Sequence, residues 1–197
     1  MTNVSRKTKE TDIQLSLNIR GNKKINVETG IGFFDHMLTS LAFWGNWDLN
    51  LKCKGDLYID THHTIEDVAL SLGKAFYKEW SKNKNITRIA YAFCPLDEAL
   101  TRIVVDVCNR PYNTFQAVFN VEKVGDYETA MTEHFFNSFA QEARITQHIH
   151  MLHGKNAHHI IETIFKGLGL ALKRACTITG TEIQSTILTK LVFNFSI

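Results

Sequence analysis

The chain has 197 residues, 44% of them hydrophobic and 21% charged, and its 22 basic and 20 acidic side chains leave a formal net charge of +2. That composition suits one soluble globular unit or two halves of about 100 residues, and the scattered basic residues lack the concentrated stripe of a nucleic-acid binder. The start MTNVSRKTKETD has no apolar signal region, no run approaches the ~20 apolar residues of a membrane span, and no G-x-G-x-x-G, P-loop or G-x-S-x-G signature occurs.

In chain order, residues 12–20 alternate apolar and polar and read as a half-buried strand, followed by a second at 24–28. Phe33 to Phe43 reads as a short apolar helix, and residues 47–53 alternate again. A helix is predicted from Asp60 to about Trp80, with Val68, Leu72 and Phe76 near helical spacing. The second half repeats this order. Strands are predicted at Arg88–Cys94, Leu100–Cys108 and Thr114–Val121, a helix at Tyr127–Ala143, a strand at Ile145–Leu152, a helix from Asn156 to about Cys176, and a short C-terminal strand or tail. Two halves with one element order suggest an internal duplication, 1–86 and 87–197. The pattern fits an α+β fold whose sheets are covered on one face by helices. Cys53, Cys94, Cys108 and Cys176 show no paired spacing and read as reduced thiols of a cytosolic protein.

Nine histidines are the unusual number. HHTIE at 62–66 and HHIIE at 158–162 share a His-His-x-x-Glu pattern, each at the start of a long helix. His62 and Glu66, like His158 and Glu162, are four apart and lie on one helical face, where imidazole and carboxylate can hold one ion. His63 and His159 point about 100° away and would most easily serve a second ion. His36 lies 26 residues before His62, and His134 lies 24 before His158. Six imidazoles and two carboxylates thus make eight ligands for two ions, four each. Four protein ligands leave open positions on an octahedral ion, the mark of catalytic metal. Two glutamates offset only half the charge of two divalent ions, so the site attracts an anion or an ionisable nitrogen heterocycle. By ligand softness, imidazole-rich sites suit Zn, Fe, Ni or Cu better than Mn. His148, His150 and His153 have no counterpart in the first half and read as structural or solvent-facing.

The segments TGIGFFDHML (29–38), DTHHTIED (60–67), PLDEAL (95–100), VDVCNRP (105–111), EHFFNSF (133–139) and KNAHHIIETIFK (155–166) resemble, in order, the imidazoleglycerol-phosphate dehydratase family. The resemblance runs from about Arg6 to Thr186. It implies a duplicated ribosomal-protein-S5-domain-2-like unit and a cytoplasmic homo-oligomer of 24 subunits, with two Mn²⁺ per active site at subunit contacts. One ion takes His62, Glu66, His134 and His159; the other takes His36, His63, His158 and Glu162. The reaction implied is dehydration of imidazole glycerol phosphate to imidazole acetol phosphate in histidine biosynthesis. The substrate imidazole is expected to bridge the ions as imidazolate, assisting departure of hydroxide, while a carboxylate, Glu10 by family position, handles the carbon proton. Glu66 and Glu162 count with Glu10 as catalytic carboxylates.

Arg88, Arg110, Lys166 and Ser185 match phosphate-binding positions of the family. The family's Ser-Thr-Lys-Gly reads Ser185-Thr186-Ile187-Leu188 here, so its lysine is replaced, with Lys190 the nearest substitute. The family's His-Gly reads Trp44-Gly45, outside the eight ligands. No phosphatase-like segment accompanies these motifs, as in a monofunctional form. A dinuclear phosphoesterase is disfavoured because such sites often bridge the ions through a carboxylate. A metal-storage shell is disfavoured because it needs no basic residues in register with the histidines.

Overall fold

The structure, a computed structural model, describes residues 1–179. Ser185, Ile187, Lys190 and the expected C-terminal strand lie outside the described residues. The elements run β1 (Thr2–Lys7), β2 (Thr11–Asn18), β3 (Ile25–Glu28), α1 (Gly32–Gly45), β4 (Asp48–Gly55), α2 (His62–Trp80), β5 (Ile89–Leu96), β6 (Ala99–Asp106), β7 (Tyr112–Gln116), β8 (Lys123–Val124), β9 (Tyr127–Glu128), α3 (Met131–Ala143), β10 (Thr146–His153) and α4 (Ala157–Ala175).

Two four-stranded sheets have one topology. The first is ordered β1-β2-β4-β3 and the second β5-β6-β10-β7. In each, three strands are antiparallel and a short edge strand joins in parallel through a helical crossover. The register aligns Val4, Leu15, Leu51 and Val27 across the first sheet, and Ala92, Ile103, Ile149 and Phe115 across the second. These rows face the helices, and alternate residues face out, as the period of two demands. The α+β class with one covered face per sheet is therefore observed.

The helices pair across the two halves. α1 lies against α4, and α2 against α3, so one core runs through both halves of the described residues. The pairs approach closely because glycine stands at each crossing. A Cβ on Gly73 would fall 2.6 Å from the Phe139 carbonyl oxygen, and one on Gly169 would fall 2.4 Å from that of Leu41. Those two glycines are 96 residues apart, the same offset as the histidine doublets.

The polar N-terminus, for which the sequence suggests no element, forms strand β1, whose Thr2 and Val4 face inward. Two expectations are corrected. The strand expected over 114–121 is β7 and ends at Gln116; the chain then leaves the sheet before the β8–β9 hairpin. The helix expected from Tyr127 starts at Met131, because Tyr127 and Glu128 pair with β8.

Candidate metal centre

The first turns of α2 and α4 are fixed alike. Asp60 accepts the His62 N–H at 2.8 Å, and Asn156 accepts the His158 N–H at 2.9 Å. Asn156 is the N-cap of α4, whereas Asp60 stands one residue before the α2 cap, Thr61; each satisfies one donor that the helix start leaves open. In α1, Asp35 accepts both the N–H and the hydroxyl of Thr29, which makes it a structural neighbour of His36 rather than a ligand.

Among the described residues, two groups bring their donor atoms within 4.8 Å of one another: His36, His158 and Glu162, and His62, Glu66 and His134. Each triad takes the His-x-x-x-Glu of one half and the single histidine of the other. The helix pairing explains this, since parallel neighbours place their N-terminal turns side by side. His62 Nε2 lies 3.6 Å from Glu66 Oε2, and His134 Nε2 lies 3.6 Å from Glu66 Oε1. In the second triad Glu162 Oε2 is shared, 3.2 Å from His158 Nε2 and 3.4 Å from His36 Nε2. Glu162 Oε1 faces Lys166 Nζ at 2.6 Å, so Lys166 stands on the triad side of α4 as its spacing predicts. Burial alone would raise the Glu162 carboxyl; the hydrogen bond and charge of Lys166, with His36, outweigh it and hold it below its usual range.

The donor set fits a transition metal. His134 Nε2 is buried and has no hydrogen-bond partner among the described residues, although it points at Glu66. A buried imidazole nitrogen left unpaired costs free energy unless something occupies its lone pair. A metal ion does so.

The other predicted residues are not gathered at the triads of their own chain. His63 turns Nδ1 to Asp56 at 3.1 Å and its Nε2 lies 3.9 Å from Glu10 Oε1. His159 turns Nδ1 to Glu98 at 2.8 Å and Nε2 towards Asp97 at 3.8 Å. Hydrogen bonding to these carboxylates, Asp56 and Glu98 respectively, raises the proton affinity of both rings. Glu98 is itself pulled down to about 2 by the Asn156 N–H, His159 and the Lys155 N–H.

Arg88 and Arg110 meet at Asp106. Arg88 donates to both Asp106 oxygens, at 2.7 and 3.1 Å, and Arg110 approaches at 3.8 Å. The Arg88 N–H reaches the carbonyl of Ala175, thirteen residues along α4 from Glu162. At 1.5 Å per residue the two lie about 20 Å apart. One chain therefore separates the arginines from the triad that holds Glu162.

His148 is exposed, His150 sits 3.0 Å from an Arg102 guanidinium nitrogen, and His153 is exposed; none joins a triad. Sequence reasoning missed Asp56, Glu98 and Asp106. Glu98 and Asp106 lie in the quoted segments PLDEAL and VDVCNRP, and Glu98 also precedes β6 as Glu10 precedes β2 in the matching register.

The model of the family described as imidazoleglycerol-phosphate dehydratase matches residues 29–172. The enzyme of that name from Caldicellulosiruptor bescii is 49% identical over 93% of this chain and 94% of its own. That from Acetivibrio thermocellus is 49% identical over 95% of each. The crystal structure of the Staphylococcus aureus enzyme superposes with a TM-score of 0.81 at 35% identity, covering 91% of this chain and all of its own. With the histidine triads in the matched region, the chain belongs to the imidazoleglycerol-phosphate dehydratase family and is a dehydratase of histidine biosynthesis.

Proposed function

We propose that this dehydratase works as a di-manganese enzyme whose centres are completed between copies of the chain. One ion is held by His62, Glu66, His134 and His159, and the other by His36, His63, His158 and Glu162. The observation that carries this reading is the pair of triads, each spanning both halves with donor atoms within 4.8 Å. Two further observations favour sites shared in a homo-oligomer, for which the family resemblance implies 24 subunits. His63 and His159 lie outside their own triads, and the Arg88 backbone is bound to the Ala175 carbonyl at the far end of α4, about 20 Å along the helix from Glu162. We also take 1–86 and 87–197 as the two repeats. A cytoplasmic location agrees with four free cysteines and with the lack, among the described residues, of a helix long and apolar enough to cross a membrane.

When bound, the metal supplies a Lewis acid that orients the substrate imidazole and stabilises negative charge on it. The protein's own residues do the rest. Glu10, exposed at the β1–β2 turn and 3.9 Å from His63 Nε2, handles the carbon proton as general acid/base. Arg88, Arg110, Lys166 and Ser185 bind the phosphate, and the fork of a guanidinium suits its planar pairs of oxygens.

The test is turnover of imidazole glycerol phosphate after chelation and after Mn²⁺ add-back, with metal counted per chain. Turnover lost on chelation, restored by Mn²⁺, with about two ions per chain, supports the reading. Full turnover without metal, or full occupancy in both His62→Ala and His158→Ala, sinks it.

A further inference from the structure

His63 and His159 stand in the same relation to their surroundings. Each follows a triad histidine by one residue, and each presents Nδ1 to a carboxylate from beside a strand end. Asp56, just after β4, lies 3.1 Å from His63 Nδ1; Glu98, just before β6, lies 2.8 Å from His159 Nδ1. Neither carboxylate is loosely solvated. The Asp56 side chain is only 10% exposed. Glu98 is pinned by the Lys155 and Asn156 N–H groups at the start of α4, at 3.0 and 2.8 Å. An ionised carboxylate only accepts, so in the neutral ring that binds metal Nδ1 carries the proton and Nε2 the lone pair. That is the tautomer a metal-binding imidazole needs, and carboxylates placed in this way orient such ligands in metal sites generally.

We propose that Asp56 and Glu98 are positioning residues of the metal centres: each fixes the tautomer of a histidine that its own triads leave out and keeps its Nε2, which faces only the exposed carboxylates of Glu10 and Asp97 at 3.9 and 3.8 Å, as a ligand for a neighbouring copy. This rests on the reading of His63 and His159 as ligands.

Glu98 allows a sharp test, because its two oxygens have separate tasks. Oε1 accepts both backbone N–H groups, and Oε2 alone faces His159. In Glu98→Gln the amide oxygen must take the Oε1 position, since two N–H donors cannot face an NH₂. The amide nitrogen then faces His159 Nδ1 and donates to it. The ring proton moves to Nε2, and the ligand nitrogen is blocked. Glu98→Ala leaves the ring free to adopt either tautomer. A purely structural role for Glu98 predicts the reverse order of damage, because glutamine keeps the two backbone contacts and alanine loses all of them.

The experiment titrates Mn²⁺ into chelated full-length wild type, Glu98→Gln, Glu98→Ala and His159→Ala. Bound metal is read by equilibrium dialysis, and the melting temperature is taken in the metal-free state. The expected result is a 10- to 100-fold weaker Mn²⁺ affinity at half of the sites in Glu98→Gln. Glu98→Ala should lose less affinity, while its metal-free melting temperature falls at least as far. Wild-type affinity in Glu98→Gln, or weaker binding in Glu98→Ala than in Glu98→Gln, overturns the proposal. Full binding in His159→Ala overturns the ligand assignment beneath it. Weakened binding in His159→Ala with normal binding in Glu98→Gln overturns the positioning role alone. If Glu98→Gln fails to fold, Asp56→Ala decides: binding weakened about ten-fold through His63 supports the role, and unchanged binding overturns it.

Discussion

His134 Nε2 lies 3.6 Å from Glu66 Oε1, and this buried nitrogen has no hydrogen-bond partner among the described residues. The two residues come from helices of different halves. Their approach leaves an imidazole lone pair suited to a cation, and a bound metal would remove the cost of an unpaired buried nitrogen. Replacing His134 should therefore separate function from stability. In His134→Leu, Mn²⁺ affinity should fall by more than 100-fold, beyond the loss typical of an outer-shell residue. The chelated protein should keep its unfolding free energy to within about 1 kcal/mol, because an unpaired buried polar atom has been removed. Metal titration and urea denaturation of the chelated protein check both halves of this. A large loss of stability without metal would show that His134 is structural.

Gly73 and Gly169 set the spacing on which both triads depend. Their would-be Cβ atoms meet backbone of the neighbouring helix, at 2.6 and 2.4 Å, so no side-chain rotation relieves the clash. Alanine normally favours a helix interior over glycine by about 1 kcal/mol. Here overpacking of about 1–3 kcal/mol opposes that gain. Gly169→Ala should be destabilised by about 1 kcal/mol on balance, and should lose metal affinity at the His36–His158–Glu162 triad more than at the other. Gly73→Ala should do the reverse. Equal loss at both triads in either variant would contradict the local account.

The Asp106 clamp predicts that Arg88 cannot be replaced by lysine. Arg88 spends Nε and one terminal nitrogen on Asp106, and its guanidinium has further N–H donors for a second partner. Lysine offers a single charged nitrogen and cannot serve both partners at once. Losing one charge-assisted hydrogen bond to phosphate, about 1.5–3 kcal/mol, should raise KM roughly 10- to 100-fold. The turnover number should change far less, and inorganic phosphate should inhibit more weakly by a similar factor. Loss confined to turnover would argue against a phosphate role.

A pH test addresses the docking of β1. Glu79 is 4% exposed, accepts the Thr2 hydroxyl and pairs with Lys82. Burial alone would push its carboxyl up, but Lys82 and Thr2 outweigh burial and hold it below its usual range. A lowered native value means that the stabilisation is complete above the unfolded pKa, about 4.3, and is lost as pH falls through the native one. Glu79→Gln should cost about 1–2 kcal/mol at pH 7, discounted for the half-exposed Lys82. The difference from wild type should narrow steadily below about pH 4. Urea denaturation of chelated protein at several pH values reads it directly, and a gap that widened on acidification would refute the assignment.

Much of the site was legible because its chemistry is periodic. The His-His-x-x-Glu doublets and the two single histidines announce themselves by residue type and by near-constant offset between halves. The long helices were legible for the same reason, since Val68, Leu72 and Phe76 recur at helical spacing and are all buried. β1 was not. Val4 is its only large apolar residue, and its pairing with β2 and the contact of Thr2 with Glu79 are long-range facts. The start of α3 was misplaced because Tyr127, fully buried against Phe33 and Phe34, looks like the first apolar residue of the helix but belongs to the β8–β9 hairpin.

By itself the sequence offered the candidate ligand types, their number per half and the face of each long helix that carries them, because spacing along a helix dictates direction. The family resemblance already joined His134 to Glu66 and His36 to Glu162; the tertiary structure supplied the physical reason, bringing their donor atoms within 4.8 Å. That approach follows from the close pairing of α1 with α4 and of α2 with α3 across the two halves, which glycine permits and no local pattern encodes. The structure likewise decided the partners of His63 and His159. A carboxylate 7 or 61 residues away in the chain comes within hydrogen-bond reach only once the strands beside it have paired.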